Sequence, residues 1–295
     1  MSKLRGLRVL SLALNLPGPA GLSRLRAMGA KCTKLEPLPP PGVATVDPLG
    51  VHDRRFYDEL HEGVKVVTAD LKTETGQAVL HRHLAKTDVL VTSFRPKALR
   101  RLGLTRSKLQ LRFPSLSVVS VVSAPGARAE EPGHDLTYLA EAGLLANSGL
   151  TMPPSLFADM AGAVMVSEAV LRARVRQLST LKSKGVWIEV ALSEAAQFLA
   201  LPRKHKLMST VLGGQHAGYK IYCCIDGRVA LTALEPHFAA ALQAQTQAPG
   251  SAEGRAVNML SPSAHQAVAS WAATKTRQEI QKLAEEQDIP LCCIE

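Results

Sequence analysis

Short, nearly continuous apolar runs recur along the first part of the chain and are separated by stretches with helical periodicity. The runs have strand length and occupy residues 7–14, 32–36, 64–71, 88–94 and 116–123. Strands that show no polar alternation are typical of a sheet covered on both faces, and their alternation with helices favours parallel pairing. The pattern therefore predicts an α/β fold built on a Rossmann-like parallel sheet.

Helical periodicity fills the intervals between these runs. A break at residues 17–19 precedes the first helical stretch. Further helices are predicted at 74–86, 135–182 and 193–201, and a sixth strand at 186–192. Residues 202–218, which are rich in Lys, His and Gly, are interpreted as a linker.

The last part of the chain predicts a smaller second domain. Asp226-Gly227 lies between two apolar runs, which indicates a β-hairpin. Helices are predicted at 236–245, 263–273 and 277–287, with a loop at 248–255. We therefore predict two domains: a Rossmann-like large domain at residues 1–205 and a small α+β domain at residues 206–295.

The charge balance narrows the class of partner. A formal net charge of +10 over 295 residues indicates that an anion is bound or attracted. Aromatic residues make up only 4%, too few for the stacking platforms of single-strand binders, and Lys and Arg are scattered. A small molecule that bears phosphate therefore fits better than nucleic acid. No G-x-G-x-x-G follows the first strand, which argues against a nicotinamide dinucleotide.

Cysteine usage and hydropathy indicate the compartment. The five cysteines form no C-x-x-C pair, and the sequence contains neither a recognisable leader nor an apolar run of about 20 residues. We therefore expect a soluble, cytoplasmic protein that has no metal site and no membrane partner.

Two titratable side chains stand among small and apolar residues. His134 lies in Pro-Gly-His-Asp-Leu and Asp159 in Ala-Asp-Met-Ala-Gly. Such surroundings shift pKa values. A histidine and a carboxyl group that face one substrate carbon can remove a proton from one side and return one from the other. A structural interpretation stays open, in which His134 is a helix N-terminal residue and Asp159 a cap.

Several motifs, in order along the chain, resemble the family III CoA-transferases. They are Gly18-Pro19, Lys34-Leu35-Glu36-Pro37, Phe94-Arg95-Pro96, Leu102-Gly103-Leu104 and residues 185–195. The similarity runs from residue 7 to about residue 200 and returns more thinly between 213 and 294. The resemblance implies the family III fold and an acyl-CoA substrate. CoA then enters as part of the substrate, and no cofactor is bound permanently.

Within that family, the chain is similar to the α-methylacyl-CoA racemase branch at Gly133-His134-Asp135-Leu136 and Leu234-Glu235-Pro236. The resemblance implies that His134 and Asp159 act as paired acid and base at the α-carbon of a 2-methylacyl-CoA, with Glu235 contacting the histidine. The transferase branch implies an alternative, in which Asp159 alone is a nucleophile. A third alternative is a shortened, inactive homologue that serves as a binding partner, because family members continue beyond the point corresponding to Glu295.

The same resemblance implies the contacts with CoA. Arg95 is expected to bind the CoA phosphates, Lys34 and Lys65 lie where the family has basic residues near the nucleotide, and Tyr138 is expected at the same site. Family members form interlocked dimers, so we expect a homodimer in which the small domain of one chain helps to complete the site of the other.

Overall fold

The computed structural model describes residues 4–146, 149–179, 184–246 and 258–295. The chain divides into two compact units, Met1–Ala200 and Leu201–Glu295, and the predicted boundary at residue 205 lies a short way into the second unit. The loop predicted at 248–255 lies outside the described residues, as do parts of the helical stretch predicted over 135–182.

A six-stranded parallel sheet forms the centre of the first unit. Its strands are β1 (Arg8–Ser11), β2 (Lys31–Glu36), β3 (Lys65–Thr68), β4 (Val89–Thr92), β5 (Ser117–Val122) and β6 (Trp187–Ala191). They lie in the order β3-β2-β1-β4-β5-β6, and each neighbouring pair is parallel. Every residue of β4 and β5 is buried. The predicted α/β fold with a Rossmann-like sheet is confirmed.

Helices cover the sheet. They are α1 (Pro17–Ala27), α2 (Pro48–His52), α3 (Arg54–Leu60), α4 (Glu74–Leu84), α5 (Pro96–Arg101), α6 (Arg106–Arg112), α7 (Asp135–Glu141), α8 (Phe157–Ser179) and α9 (Leu192–Leu199). Alternate strand residues point to opposite faces. Val91 packs in one cluster with residues of α1 and α8, and Leu90 in another with residues of α4, α5 and α6.

The first helix begins earlier than the sequence indicated. Pro17-Gly18-Pro19, predicted as a break, forms the first turn of α1, with Pro17 at its first position. Proline is favoured there because its missing N–H would have no partner within the helix. A Cβ atom on Gly18 would lie 2.2 Å from that of Ala13, so this glycine allows α1 to start directly against the segment that leaves β1.

The second unit contains a three-stranded antiparallel sheet, β7 (Tyr219–Cys224), β8 (Gly227–Thr232) and β9 (Leu291–Ile294). Its helices are α10 (Leu201–Lys204), α11 (Pro236–Thr246), α12 (Pro262–Ala273) and α13 (Arg277–Gln287). The Asp226-Gly227 hairpin is present. The stretch interpreted as a linker contains α10 and two short 3-10 turns at Leu207–Ser209 and Val211–Gly213. The sequence did not predict β9, which pairs with β8.

Candidate active site

A cavity of about 170 Å³ opens at the carboxyl ends of three neighbouring strands. Its wall includes Asn15 after β1, Arg95 after β4 and Ser123 after β5, together with His134 and Asp159. Strand β1 lies between β2 and β4, so the sheet order reverses at this place. Ligands of open α/β sheets bind at such a switch point, outside the carboxyl ends of the strands.

His134 is held at the cavity by the turn that begins α7. It is the N-cap residue of that helix. Its backbone N–H donates to Thr137 Oγ1 at 3.0 Å, and the Thr137 hydroxyl donates to the His134 carbonyl at 2.7 Å. The residue is exposed. His134 is therefore a helix N-terminal residue, as the structural interpretation held, and it also lines the cavity.

Asp159 reaches the same cavity from the first turn of α8. Only 9% of the residue is exposed. Its backbone N–H donates to Oδ1 of Asp135 at 2.9 Å, and Asp135 is itself buried. Asp135 thereby ties the start of α8 to the start of α7, and so fixes the two elements that carry Asp159 and His134.

The pKa of Asp159 is raised to about 7 by burial and, secondarily, by the negative charge of Asp135. A helix N-terminus favours a carboxylate, and sequence reasoning could not weigh that effect against burial. In the structure burial is the stronger influence. Asp159 can therefore exist in its protonated and its ionised form near neutral pH.

Tyr138 also lines the cavity, and it is buried. Burial raises the pKa of its phenol, and the Asp159 carboxylate adds to the shift, while a hydrogen bond with Ser123 and the charge of Arg95 oppose it. A Cβ atom on Gly133 would lie 2.6 Å from Cε1 and 2.7 Å from the hydroxyl oxygen of Tyr138. A glycine before His134 is thus required for the ring to fit beneath the loop.

The structure brings four of the predicted site residues to this one cavity: His134, Asp159, Arg95 and Tyr138. Arg95 is exposed and is the residue before α5. Lys65 is exposed and begins β3, so it lies at the amino edge of the sheet, opposite to the edge where the cavity opens. Glu235 lies in the second unit, exposed at the residue before α11.

The expected role of Lys34 near the nucleotide requires a correction. Its side chain has no exposed surface, and its ammonium group forms ion pairs with Glu36 at 2.7 Å and with Asp47. An ammonium group that is enclosed by protein and paired with two carboxylates cannot reach a ligand phosphate. Lys34 is a buried structural cation, neither a CoA anchor nor a solvated surface charge.

A second concavity, of about 1230 Å³, was not predicted from the sequence. It is lined by α4, α5, α6 and the residues before α4, and most of its charged residues are cationic. These are Lys72, Arg82, Arg100, Arg101, Lys108 and Arg112, and among the described residues Glu74 is the one carboxylate in the lining. Helix α5 connects the cavity to the concavity. Arg95, the residue before the helix, lines the cavity, and Arg100 and Arg101, its last two residues, line the concavity.

Across residues 4–146, 149–179, 184–246 and 258–295, no three or more His, Cys, Asp or Glu side chains are grouped so as to hold a metal ion. Among the helices of that same part of the chain, none has both the length and the apolar character needed to cross a membrane.

Fold and cavity together define an α/β protein with a candidate ligand site at the switch point of its sheet. The model of the CoA-transferase family III matches residues 4–295. The chain therefore belongs to CoA-transferase family III.

Both branches of the family occur among its relatives. Human alpha-methylacyl-CoA racemase is 30% identical over 253 residues, which cover 80% of this chain and 62% of the racemase. Cinnamoyl-CoA:phenyllactate CoA-transferase of Clostridium sporogenes is 30% identical over 162 residues, or 51% of this chain and 39% of that protein. The chain thus spans less than two thirds of the length of these curated relatives.

Solved structures show the same fold. A hypothetical protein from Mycobacterium tuberculosis superimposes with a TM-score of 0.80 at 24% identity, covering 100% of this chain and 85% of that one. A CAIB/BAIF family protein from Brucella suis gives a TM-score of 0.78 at 18% identity, covering 100% and 85% respectively.

Proposed function

We propose that the protein epimerises the α-carbon of an acyl-CoA thioester, with His134 and Asp159 as the two acid–base groups. The observation that carries this proposal is that both side chains line one small cavity, where the Asp159 carboxyl group has a pKa raised to about 7. The similarity to human alpha-methylacyl-CoA racemase agrees with a 2-methylacyl-CoA as substrate.

The proposed reaction needs no group that the thioester and the chain do not supply. Neutral His134 takes the α-proton, and the electron pair of the C–H bond moves into the thioester carbonyl to form an enolate. Protonated Asp159 then donates its proton to the opposite face of the carbon, and the carbonyl re-forms. The opposite enantiomer reacts with the two roles exchanged. General acid–base catalysis of this kind contributes about 10²–10⁴-fold in rate.

The raised pKa of Asp159 suits this chemistry better than nucleophilic attack. A two-base epimerase needs the carboxyl group protonated in one direction and ionised in the other, and a pKa of about 7 provides both forms. A nucleophilic carboxylate must be ionised when it attacks a thioester, and burial beside Asp135 opposes ionisation.

The basic concavity supplies the CoA-binding part of the proposal. The phosphates of CoA are separated from the thioester by the pantetheine arm, so their binding groups lie apart from the reacting carbon. Arg95 at the cavity and Arg101 at the concavity lie at opposite ends of α5, about 9 Å apart along the helix axis. We therefore assign the phosphates to the concavity and the thioester to the cavity, and Arg95, which the resemblance assigned to the phosphates, to the thioester end of the substrate.

Glu235 enters the proposal through a homodimer. It is exposed before α11 in the second unit. In the proposed dimer the Glu235 carboxylate of one chain accepts a hydrogen bond from the His134 imidazole of the other, which orients the ring for proton transfer. Sedimentation of the purified protein should then give the mass of a dimer.

The test is deuterium uptake at the α-carbon of a 2-methylacyl-CoA in heavy water, followed by mass spectrometry. The wild type should introduce deuterium into both enantiomers, whereas His134→Ala and Asp159→Ala should each abolish epimerisation and lose uptake from the enantiomer whose α-proton faces the missing base. His52→Ala and Asp58→Ala are the matched controls, because they remove an exposed histidine and an exposed aspartate outside the cavity and the concavity and should leave uptake unchanged.

Acyl transfer is the competing outcome of the same experiment. If uptake is absent but CoA moves from a thioester to a carboxylic acid acceptor, Asp159 is a nucleophile and the epimerase proposal is wrong. Hydroxylamine trapping of an acyl adduct on Asp159 would identify that reaction. Full epimerisation by His134→Ala would exclude the two-base mechanism. Loss of both activities, with CoA still bound, would indicate a binding protein.

A further inference from the structure

A buried cluster of charges lies beneath the loop that joins β1 to α1. Lys34, Glu36 and Asp47 are each no more than 1% exposed. The Lys34 ammonium group pairs with both carboxylates, and Glu36 also accepts hydrogen bonds from the Tyr57 hydroxyl at 2.6 Å and from the Thr45 hydroxyl at 2.5 Å. Buried charges persist where such partners hold them, and removing one partner of a pair is costly.

Asp47 connects this cluster to the cavity. One of its oxygens faces Lys34, and the other accepts the backbone N–H groups of Asn15 and Leu49, each at 3.0 Å. Asn15 lines the cavity together with His134 and Asp159. The two oxygens of a single carboxylate therefore link the buried ammonium group to the wall of the candidate active site.

The backbone at Asn15 needs such support. Its φ angle is +65°, in the left-handed region that residues other than glycine rarely adopt. Strained residues of this kind persist only where the surroundings fix them. Here the Asp47 carboxylate accepts a hydrogen bond from the backbone N–H of Asn15. The backbone N–H of the preceding residue, Leu14, donates to the Ser93 hydroxyl at 3.1 Å.

We propose that Asp47, itself oriented by Lys34, is a positioning residue that fixes the β1–α1 loop as the wall of the active-site cavity. The functional half of this inference rests on the proposed acyl-CoA chemistry. The pairing explains why a lysine is buried in β2. The charged Asp47 carboxylate is a stronger acceptor for the two backbone N–H groups than a neutral side chain would be. Its pairing with the Lys34 ammonium group engages the second oxygen, and so leaves the first oxygen for the loop.

Three variants separate positioning from mere stability. Asp47→Ala removes both the amide acceptor and the ion pair. Asp47→Asn keeps an oxygen for the two amides and leaves Lys34 paired with Glu36, so this variant should fold even if Asp47→Ala does not. Tyr57→Phe is the matched control, because the hydrogen bond that it removes from the same cluster ends on Glu36 and not on Asp47.

Two measurements are made on the full-length chain: amide hydrogen exchange of the peptide spanning residues 12–20, and deuterium uptake at the substrate α-carbon. In Asp47→Ala, loop exchange should accelerate and kcat should fall by about 10- to 100-fold, since misplacing a binding wall by about 1 Å costs that much. Asp47→Asn should also accelerate loop exchange and lower kcat, but by less than Asp47→Ala does. Tyr57→Phe should lower the melting temperature but alter neither loop exchange nor kcat.

Unchanged loop exchange in both Asp47 variants would overturn the proposal, and so would equal effects of Asp47→Asn and Tyr57→Phe on exchange and kcat. A loop that loosens with no change in kcat would also overturn it. A wild type without turnover would refute the proposed function, and the exchange comparison together with the affinity for CoA would then decide the positioning role.

Discussion

Burial of the Asp159 carboxyl group makes the stability of the fold depend on pH. The pKa is about 7 in the folded chain and about 3.9 in an unfolded one, so the folded state favours the protonated form. Stability is therefore lost as the pH rises from about 4 to about 7, and it stays low above that range. The side chain introduced by Asp159→Asn cannot ionise, so the stability of this variant does not fall over that pH range through this group.

We expect Asp159→Asn to be more stable than the wild type at pH 8, by an amount on the order of 4 kcal/mol, and equally stable near pH 3.5. Urea unfolding at the two pH values measures the difference. Asp58→Asn, which changes an exposed carboxylate paired with Arg54, serves as the control and should show no such gain. A wild type that is as stable as Asp159→Asn at pH 8 would show that the carboxyl group is not destabilised by burial.

Individual residues differ in how far sequence reasoning could place them. His134 and Asp159 could be selected because each is a titratable group in a motif of mostly small or apolar residues. The burial of Lys34 could not be predicted, because its partner Asp47 is 13 positions away and follows a proline-rich stretch. Asn15 gave no signal either, since its backbone N–H is held by Asp47, which lies 32 positions further along the chain.

Helices α1 and α8 form the scaffold of the site, and their separation is set by Gly21. A Cβ atom there would lie 2.8 Å from Cγ1 of Val166 and 3.1 Å from the carbonyl oxygen of Ala163. Gly21→Ala should therefore destabilise the fold by about 1–3 kcal/mol, the usual cost of overpacking.

A double-mutant cycle tests this packing. The combination Gly21→Ala with Val166→Ala should cost less than the sum of the single changes, because the smaller side chain on α8 makes room for the new methyl group. Thermal unfolding of the four proteins gives the coupling. Simple additivity would show that the methyl group is accommodated elsewhere.

Secondary structure could be predicted where the residues of an element themselves form a recognisable sequence pattern. The strands of the parallel sheet were found from apolar runs, which are clearest in β4 and β5, and Asp226-Gly227 marked the hairpin. Strand β9 has only four residues, two of them cysteines, and is defined by its pairing with β8 some 60 positions earlier. Short elements that depend on long-range pairing leave little trace in local periodicity.

The predicted fold was correct for the molecule as a whole, but the surface that assembles from several elements was not visible in the sequence. Lys72, Arg82 and Lys108 belong to three separate segments and meet only because α4, α5 and α6 pack on the same face of the sheet. The chain's net charge of +10 had indicated an anionic partner without showing where it binds. The concavity is the location that we propose for it.

If CoA phosphates bind in the concavity, affinity must depend on these cations and on salt. Reversing the charge of both Lys72 and Arg101 to Glu should weaken CoA binding on the order of tenfold or more in dilute buffer, and the loss should shrink as salt screens the phosphates. Arg203→Glu with Lys204→Glu, on α10 in the second unit, changes the net charge equally and should have little effect. Titration calorimetry of CoA binding at two ionic strengths separates direct contacts between these cations and the phosphates from attraction by the net charge of the whole chain. Equal losses in both double variants would show that the concavity attracts anions only through the overall charge.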